Sequence, residues 1–106
     1  MHIEDKKKLI NAVIYGSDAN AISVANALKT ETPSRFKLRG FIDKFNQNKT
    51  SKSILNLPII NQNKKITVIL RSLKADALII AEKSLSKDET IAIVEECLEF
   101  NFKVFT

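Results

Sequence analysis

The residues best placed to do chemistry sit in one short run, Gly16-Ser17-Asp18-Ala19-Asn20-Ala21. It follows an apolar stretch, Leu9 to Tyr15, that reads as a buried strand, and a helix pattern begins within a few residues. Strand, glycine, helix is how a dinucleotide-binding βαβ unit opens. A complete fingerprint has glycine at positions 16, 18 and 21, and here only Gly16 is glycine. Each position has its own physics. Gly16 permits the tight strand-to-helix turn because it tolerates positive φ. The second glycine lets the backbone approach a pyrophosphate, and Asp18 puts a negative side chain there. Asp18 also suits a helix N-cap, where its carboxylate accepts a backbone N–H. Ala21 is a mild replacement for the packing glycine. The fold signal survives while the phosphate signal is damaged.

Asp43 is the next chemical candidate, 27 residues after Gly16 at the end of a second apolar stretch. A carboxylate there can accept hydrogen bonds from ribose hydroxyls. It is equally suited to hold nearby backbone N–H groups of a loop start. Gly16, Ser17, Asp18, Asn20 and Asp43 therefore form the candidate nucleotide-binding set, with Ser84 at the same sheet edge better suited to a turn. Catalysis finds little support. The only histidine is His2, outside the body of the domain. No His, Cys and carboxylate cluster has metal-ligand spacing, and no serine sits in a nucleophile elbow. Tyr15 lies in a buried strand, and Cys97 lies in an apolar helix pattern that suits a buried structural thiol. No catalytic and no metal-binding residue is assigned.

The elements that must position these groups alternate. Strands are expected at Leu9–Tyr15, Phe36–Asp43, Leu57–Ile60, Ala75–Ala81 and from Lys103 onward. Helices are expected at Ala19–Lys29, Lys64–Lys74 and from Ser86 to about Phe100. Ala21, Val24, Ala25 and Leu28 share one helical face, as do Ile66, Ile69, Leu70 and Leu73. Ser86 and Glu89 form a capping box, and Asn101 can end the last helix in a left-handed conformation. The pattern places Ile91, Val94 and Leu98 on one face and Glu95, Glu96 and Glu99 on the other. The polar run Lys44 to Ser53 reads as a surface loop. Alternating strands and helices give an α/β fold: a parallel sheet of about five strands, order 3-2-1-4-5, with helices on both faces in three layers.

At 106 residues and 44% apolar content the chain reads as one small globular domain. A lone cysteine excludes an internal disulfide and suits a reducing compartment. No apolar run reaches membrane-spanning length. The net charge of +5 is uneven: residues 29–74 carry eleven basic and two acidic side chains, and residues 75–106 three basic and seven acidic. The basic stretch lacks interleaved aromatics beyond Phe36, Phe41 and Phe45, which read as core, so nucleic acid is not the expected partner.

Five segments together carry a family resemblance: Ala12-Val13-Ile14-Tyr15-Gly16, Leu38-Arg39-Gly40-Phe41-Ile42-Asp43, Leu57-Pro58-Ile59-Ile60, Ala75 to Ala81, and Lys103-Val104-Phe105. They resemble the amino-proximal Rossmann-like domain of bacterial CapD-type polysaccharide biosynthesis proteins, membrane-bound nucleoside-diphosphate-sugar epimerases and dehydratases. A similar domain occurs in membrane-bound sugar-phosphate transferases that load a lipid carrier. The resemblance runs from about Lys7 to Thr106. It implies that residues 1–106 are a single Rossmann-like piece of a longer membrane-associated protein. This piece would lie at the cytoplasmic face of the bacterial inner membrane, beside membrane helices and a separate catalytic domain. It implies a non-catalytic nucleotide-binding-like or regulatory role. NAD(P) or a nucleotide-sugar is the ligand class and a homo-oligomer an open alternative; a NAD(P)-binding domain of another oxidoreductase remains a further reading. The family carries more glycine in the first turn than this chain does.

Overall fold

The computed structural model describes residues 8–44 and 53–106; His2, Phe45 and most of the expected 44–53 loop lie outside them. In chain order the elements are β1 (Ile10–Tyr15), α1 (Ala19–Thr30), β2 (Phe36–Asp43), β3 (Ser53–Ile54), β4 (Leu57–Asn61), α2 (Ile66–Ser72), β5 (Ala77–Ile80), α3 (Lys87–Glu99) and β6 (Lys103–Phe105). They form one sheet in the order β3-β4-β2-β1-β5-β6. All neighbours are parallel except β3, which pairs antiparallel with β4. The five-strand parallel order is therefore as expected, with one added edge strand.

Side-chain alternation along the strands builds two cores. Ala12 and Ile14 of β1 and Ala77 and Ile79 of β5 face α1, which meets them with Ala21 and Ala25. Val13, Tyr15 and Leu78 face the other way, onto Ile69 and Leu70 of α2 and Ile93 and Cys97 of α3. The result is the three-layer arrangement, helices on both faces of a mostly parallel sheet.

Strand β2 would break this alternation without a bulge. Its register against β1 shifts between Ala12 and Val13, which oppose Leu38 and Gly40, so Arg39 is the extra residue. Phe36 and Phe41, five apart, consequently face the same core. Arg39 uses the offset to donate from Nε to the carbonyl of Leu73, 3.1 Å away at the end of α2. Gly40 follows in a close fit: a Cβ there would press on the Pro58 carbonyl oxygen at 3.0 Å, and β4 would have to give by a few tenths of an ångström. The Gly-Phe-Ile-Asp and Leu-Pro segments thus touch one another.

The C-terminal ends of α2 and α3 close in the same way. Asn101 sits at φ 65°, its N–H bonds the Leu98 carbonyl at 3.1 Å, and Phe102 N–H bonds that of Cys97 at 2.8 Å. Lys74, at φ 56°, does the same after α2, with Ala75 N–H to the Leu70 carbonyl at 2.9 Å. These are Schellman caps. The Ser86–Glu89 capping box is present as expected.

Three expectations need correction. Helix α2 is shorter than Lys64–Lys74, because Lys65 is extended and acts as its N-cap residue. Ser53, the last residue of the expected loop, opens β3, and a β3–β4 hairpin precedes the expected strand at Leu57. Its two turn residues, Leu55 and Asn56, both have positive φ, 53° and 63°, as a type I′ turn requires. The inward face of α3 is Ile93 and Cys97; Ile91 and Leu98 are 46% and 59% exposed. A second apolar stripe had masked the true one.

Candidate functional site

The carboxyl ends of β1, β2, β4 and β5 share one edge of the sheet, and strand order changes direction between β1 and β5. In open α/β sheets a crevice opens at such a switch point. The structure brings the sequence-predicted residues to this edge. Gly16 has φ 135°, which L side chains rarely adopt, and its N–H bonds the Ile42 carbonyl at 2.9 Å. A Cβ on Gly16 would lie 3.3 Å from Glu82 N and 3.4 Å from Ala21 Cβ. The first glycine is thus needed to seat the turn between α1 and β5. Ser17 and Asp43 are buried. Asn20 donates from Nδ2 to the Ala81 carbonyl at 2.8 Å, tying the first turn to the end of β5.

Asp18 is the N-cap of α1, and its Oδ1 accepts from Ala21 N–H at 3.0 Å. The carboxylate thereby satisfies one of the free donors that a phosphate would otherwise find at that helix end. Ser84 takes the turn role: its backbone N–H and hydroxyl both donate to Glu82 Oε2.

Two groups at this edge, Gln62 and Lys44, escaped the sequence reading, and two that it read only as a core residue and a helix cap, Tyr15 and Glu89, join them there. Tyr15 hydroxyl donates to Gln62 Oε1 from beneath the edge. Gln62 N–H bonds the Asp43 carbonyl at 3.1 Å, so this contact also fixes the end of β2. Lys44 pairs with Glu89, the capping-box residue of α3. That hydrogen bond, with the one from Ser86 N–H, pulls the Glu89 carboxyl down to about 2. Burial pushes the Tyr15 phenol up to about 12, with Glu82 and Glu89 adding like-charge repulsion. The signals were faint: Lys44 is one lysine among many, and Gln62 belongs to no motif.

The edge is of mixed charge: Asp18, Asp43, Glu82 and Glu89 share it with Lys64, Lys65, Lys83 and Lys87, and Lys44 is engaged by Glu89. Tyr15 stays protonated at neutral pH and cannot serve as a base there. Cys97 is fully buried on the opposite side of α3's exposed surface, and burial raises its thiol to about 11. No group of three potential metal ligands clusters among the described residues. The basic stretch is partly engaged as well: Arg35 pairs with Glu31 at 2.8 Å and Arg39 holds the end of α2. No helix among the described residues is long and apolar enough to cross a membrane.

No protein-family model and no curated protein matches the chain. Among solved structures it is similar to UDP-D-quinovosamine 4-dehydrogenase from Vibrio fischeri, at 20% identity and a TM-score of 0.69. The match covers 92% of this chain and 76% of that one. The fold is Rossmann-like. At that identity the likeness is one of architecture.

Proposed function

We propose that this chain is the non-catalytic, nucleotide-binding-like domain of a nucleotide-sugar epimerase or dehydratase of bacterial polysaccharide biosynthesis, such as capsule assembly. Its place would be the cytoplasmic face of the inner membrane, with membrane helices and the catalytic domain elsewhere in the same polypeptide. The observation that carries this reading is the likeness, over nearly the whole chain, to a solved UDP-sugar dehydrogenase. The five strand segments that resemble the CapD-type domain support it independently.

The edge chemistry gives the reading its form. In this reading Asp43, at the end of β2, would accept from ribose hydroxyls. Asp18 caps the helix end that would otherwise hold a pyrophosphate. The ligand would be gripped by its nucleoside half, with weak affinity, which suits sensing rather than turnover. Gly16, Ser17 and Asn20 would shape the floor and Asp43 would select the ribose.

Saturation-transfer NMR with uridine, UDP, a UDP-sugar, NAD+ and coenzyme A at millimolar concentration tests this. Uridine and its nucleotides should bind alike, and Asp43→Asn, checked for folding by circular dichroism, should abolish the signal. Absence of binding by every ligand would leave only a scaffolding role. Binding of inorganic phosphate or of the diphosphate alone would overturn the nucleoside reading.

A further inference from the structure

The two ends of the sheet differ in charge. At the carboxyl edge lysines and carboxylates nearly balance. At the amino edge they do not. There the parallel strands begin and the helices end, because each crossover helix returns the chain to the start of the next strand. Lys8, Lys37 and Lys103 lie at the starts of β1, β2 and β6. Lys29 lies in the last turn of α1, and Lys74 just after α2. All five are exposed, and none has an ion-pair partner among the described residues. Arg35 and Arg71 stand at the same edge, the first paired with Glu31 and the second over the Phe100 ring. Against these the edge carries Glu31, Asp76 and Glu99.

Cations suit the last turn of a helix, where they meet the negative end of its dipole. That accounts for Lys29, Arg71 and Lys74. It does not account for Lys8, Lys37 and Lys103, which stand on strand ends. Those three and Lys29 surround one apolar side chain, Leu9. A shallow cleft joins Leu9 to Lys8, Lys103 and Asp76, and a second joins it to Lys29, Lys37 and Leu57. Leu9 is 40% exposed, and so is Phe100 under Arg71. The edge is thus a ring of unpaired ammonium groups around an apolar tip.

We infer that this amino edge docks on an anionic lipid bilayer. Lipid phosphates would take the ammonium groups, and Leu9 would enter the headgroup layer between them. A lipid surface fits better than a nucleic acid. An apolar tip gains from the acyl boundary, whereas a strand of bases needs open aromatic rings to stack on. Phe36 and Phe100, the rings at this edge, lie under Arg35 and Arg71. Docked in this way, the chain turns its carboxyl edge, and the crevice there, away from the bilayer and toward soluble nucleotides. The bilayer is the one that the inner-membrane reading above supplies, and the docking rests on that reading.

Co-sedimentation of the chain with phosphatidylcholine vesicles, with and without phosphatidylglycerol, tests this docking. Binding is expected only with the anionic lipid, and added salt should weaken it. Lys8→Glu with Lys37→Glu should weaken it by about twentyfold or more, from about fivefold for each lysine lost. Lys64→Glu with Lys83→Glu makes the same change in net charge at the carboxyl edge. It should leave binding within about twofold, because charges farther than a Debye length of about 8 Å from the lipid are screened. All four positions are exposed, and circular dichroism checks the fold of each variant. Equal losses from the two pairs would reduce the binding to overall charge and overturn the docking. So would binding to pure phosphatidylcholine, or to neither vesicle. Displacement from the vesicles by duplex DNA of equal phosphate content would assign the edge to nucleic acid instead. Uridine binding, read separately by NMR, keeps the two proposals apart. Lost vesicle binding with uridine still bound would end the docking alone, and vesicle binding without uridine binding would end the nucleotide reading and leave the docking in place.

Discussion

The two faces of the sheet are built on opposite terms. On the α1 face small residues meet where the helix crosses the sheet, Ala12, Ala77 and Ala81 against Ala21 and Ala25, with Ile14, Phe36, Phe41 and Ile79 around them. The α2/α3 face is made of large ones, with Tyr15, Ile42, Leu78, Ile69, Leu70 and Phe102 together. Small residues let α1 sit low, so its first turn reaches the end of β5. That closeness is why Asn20 finds the Ala81 carbonyl and why a Cβ on Gly16 would press on Glu82 N at 3.3 Å. The opposite face has volume to spare for a tyrosine and a thiol. One face positions the site by the closeness of its helix, and the other holds the buried phenol and thiol.

Mutations of opposite sense should separate the two. Leu70→Ala removes a fully buried side chain from the large face and should cost about 2–5 kcal/mol, through lost transfer energy and the cavity left behind. Ala25→Leu adds volume to the small face and should cost roughly 1–3 kcal/mol by overpacking, although it adds apolar surface. Urea midpoints of the two variants measure both. A neutral Ala25→Leu would mean that α1 is not pressed onto the sheet, and the comparison would fail.

Titration gives a second handle of smaller size. The buried α1-face cluster contains no ionisable side chain, whereas the other contains Tyr15 and Cys97. Burial raises Tyr15 from 10 to about 12 and Cys97 from 9 to about 11. Both folded values lie above the unfolded ones, so the unfolded chain loses its protons first as pH rises. Stability is then complete below about pH 9 and declines through pH 9–11 for the thiol and 10–12 for the phenol. Each contributes on the order of 2 kcal/mol to the decline. Urea midpoints between pH 8 and 11.5 should fall with a slope that flattens above pH 10 in Tyr15→Phe. An unchanged slope in that variant would remove the phenol from the account.

Much of this architecture is legible in the sequence because local and global signals agree. The five apolar strands, the Ser86–Glu89 box and the left-handed Asn101 each have one dominant reading. The β3–β4 hairpin was hidden because Leu55 occupies a positive-φ position, where glycine, asparagine or aspartate would have announced the turn. The inward face of α3 was misread because the helix carries two apolar stripes. Periodicity alone cannot rank Ile91-Val94-Leu98 against Ile93-Cys97, since only packing against Leu78 and Val104 decides which stripe turns inward. At the site, the positions of Gly16, Asp18 and Asp43 followed from strand ends. Tyr15–Gln62 and Lys44–Glu89 link residues 47 and 45 apart and depend on how strands β4 and β2 and helix α3 line up.

The smallest expected effect bears most directly on the site. Asp18 does two jobs in the low-lying turn of α1: it caps the helix and it keeps a negative charge where a phosphate would rest. Glycine at an N-cap costs only a few tenths of a kcal/mol relative to aspartate, so Asp18→Gly should leave the thermal midpoint nearly unchanged. It would also free the Ala21 N–H and remove the charge. If the closeness of α1 leaves room for a phosphate, the variant should prefer UDP over uridine by about tenfold, and added salt should erode that preference. Titration of uridine and UDP into both proteins reads it directly. Equal affinities in the variant would show that the turn excludes phosphate by its packing against Ala81 and Glu82, and that the charge of Asp18 is incidental to ligand choice.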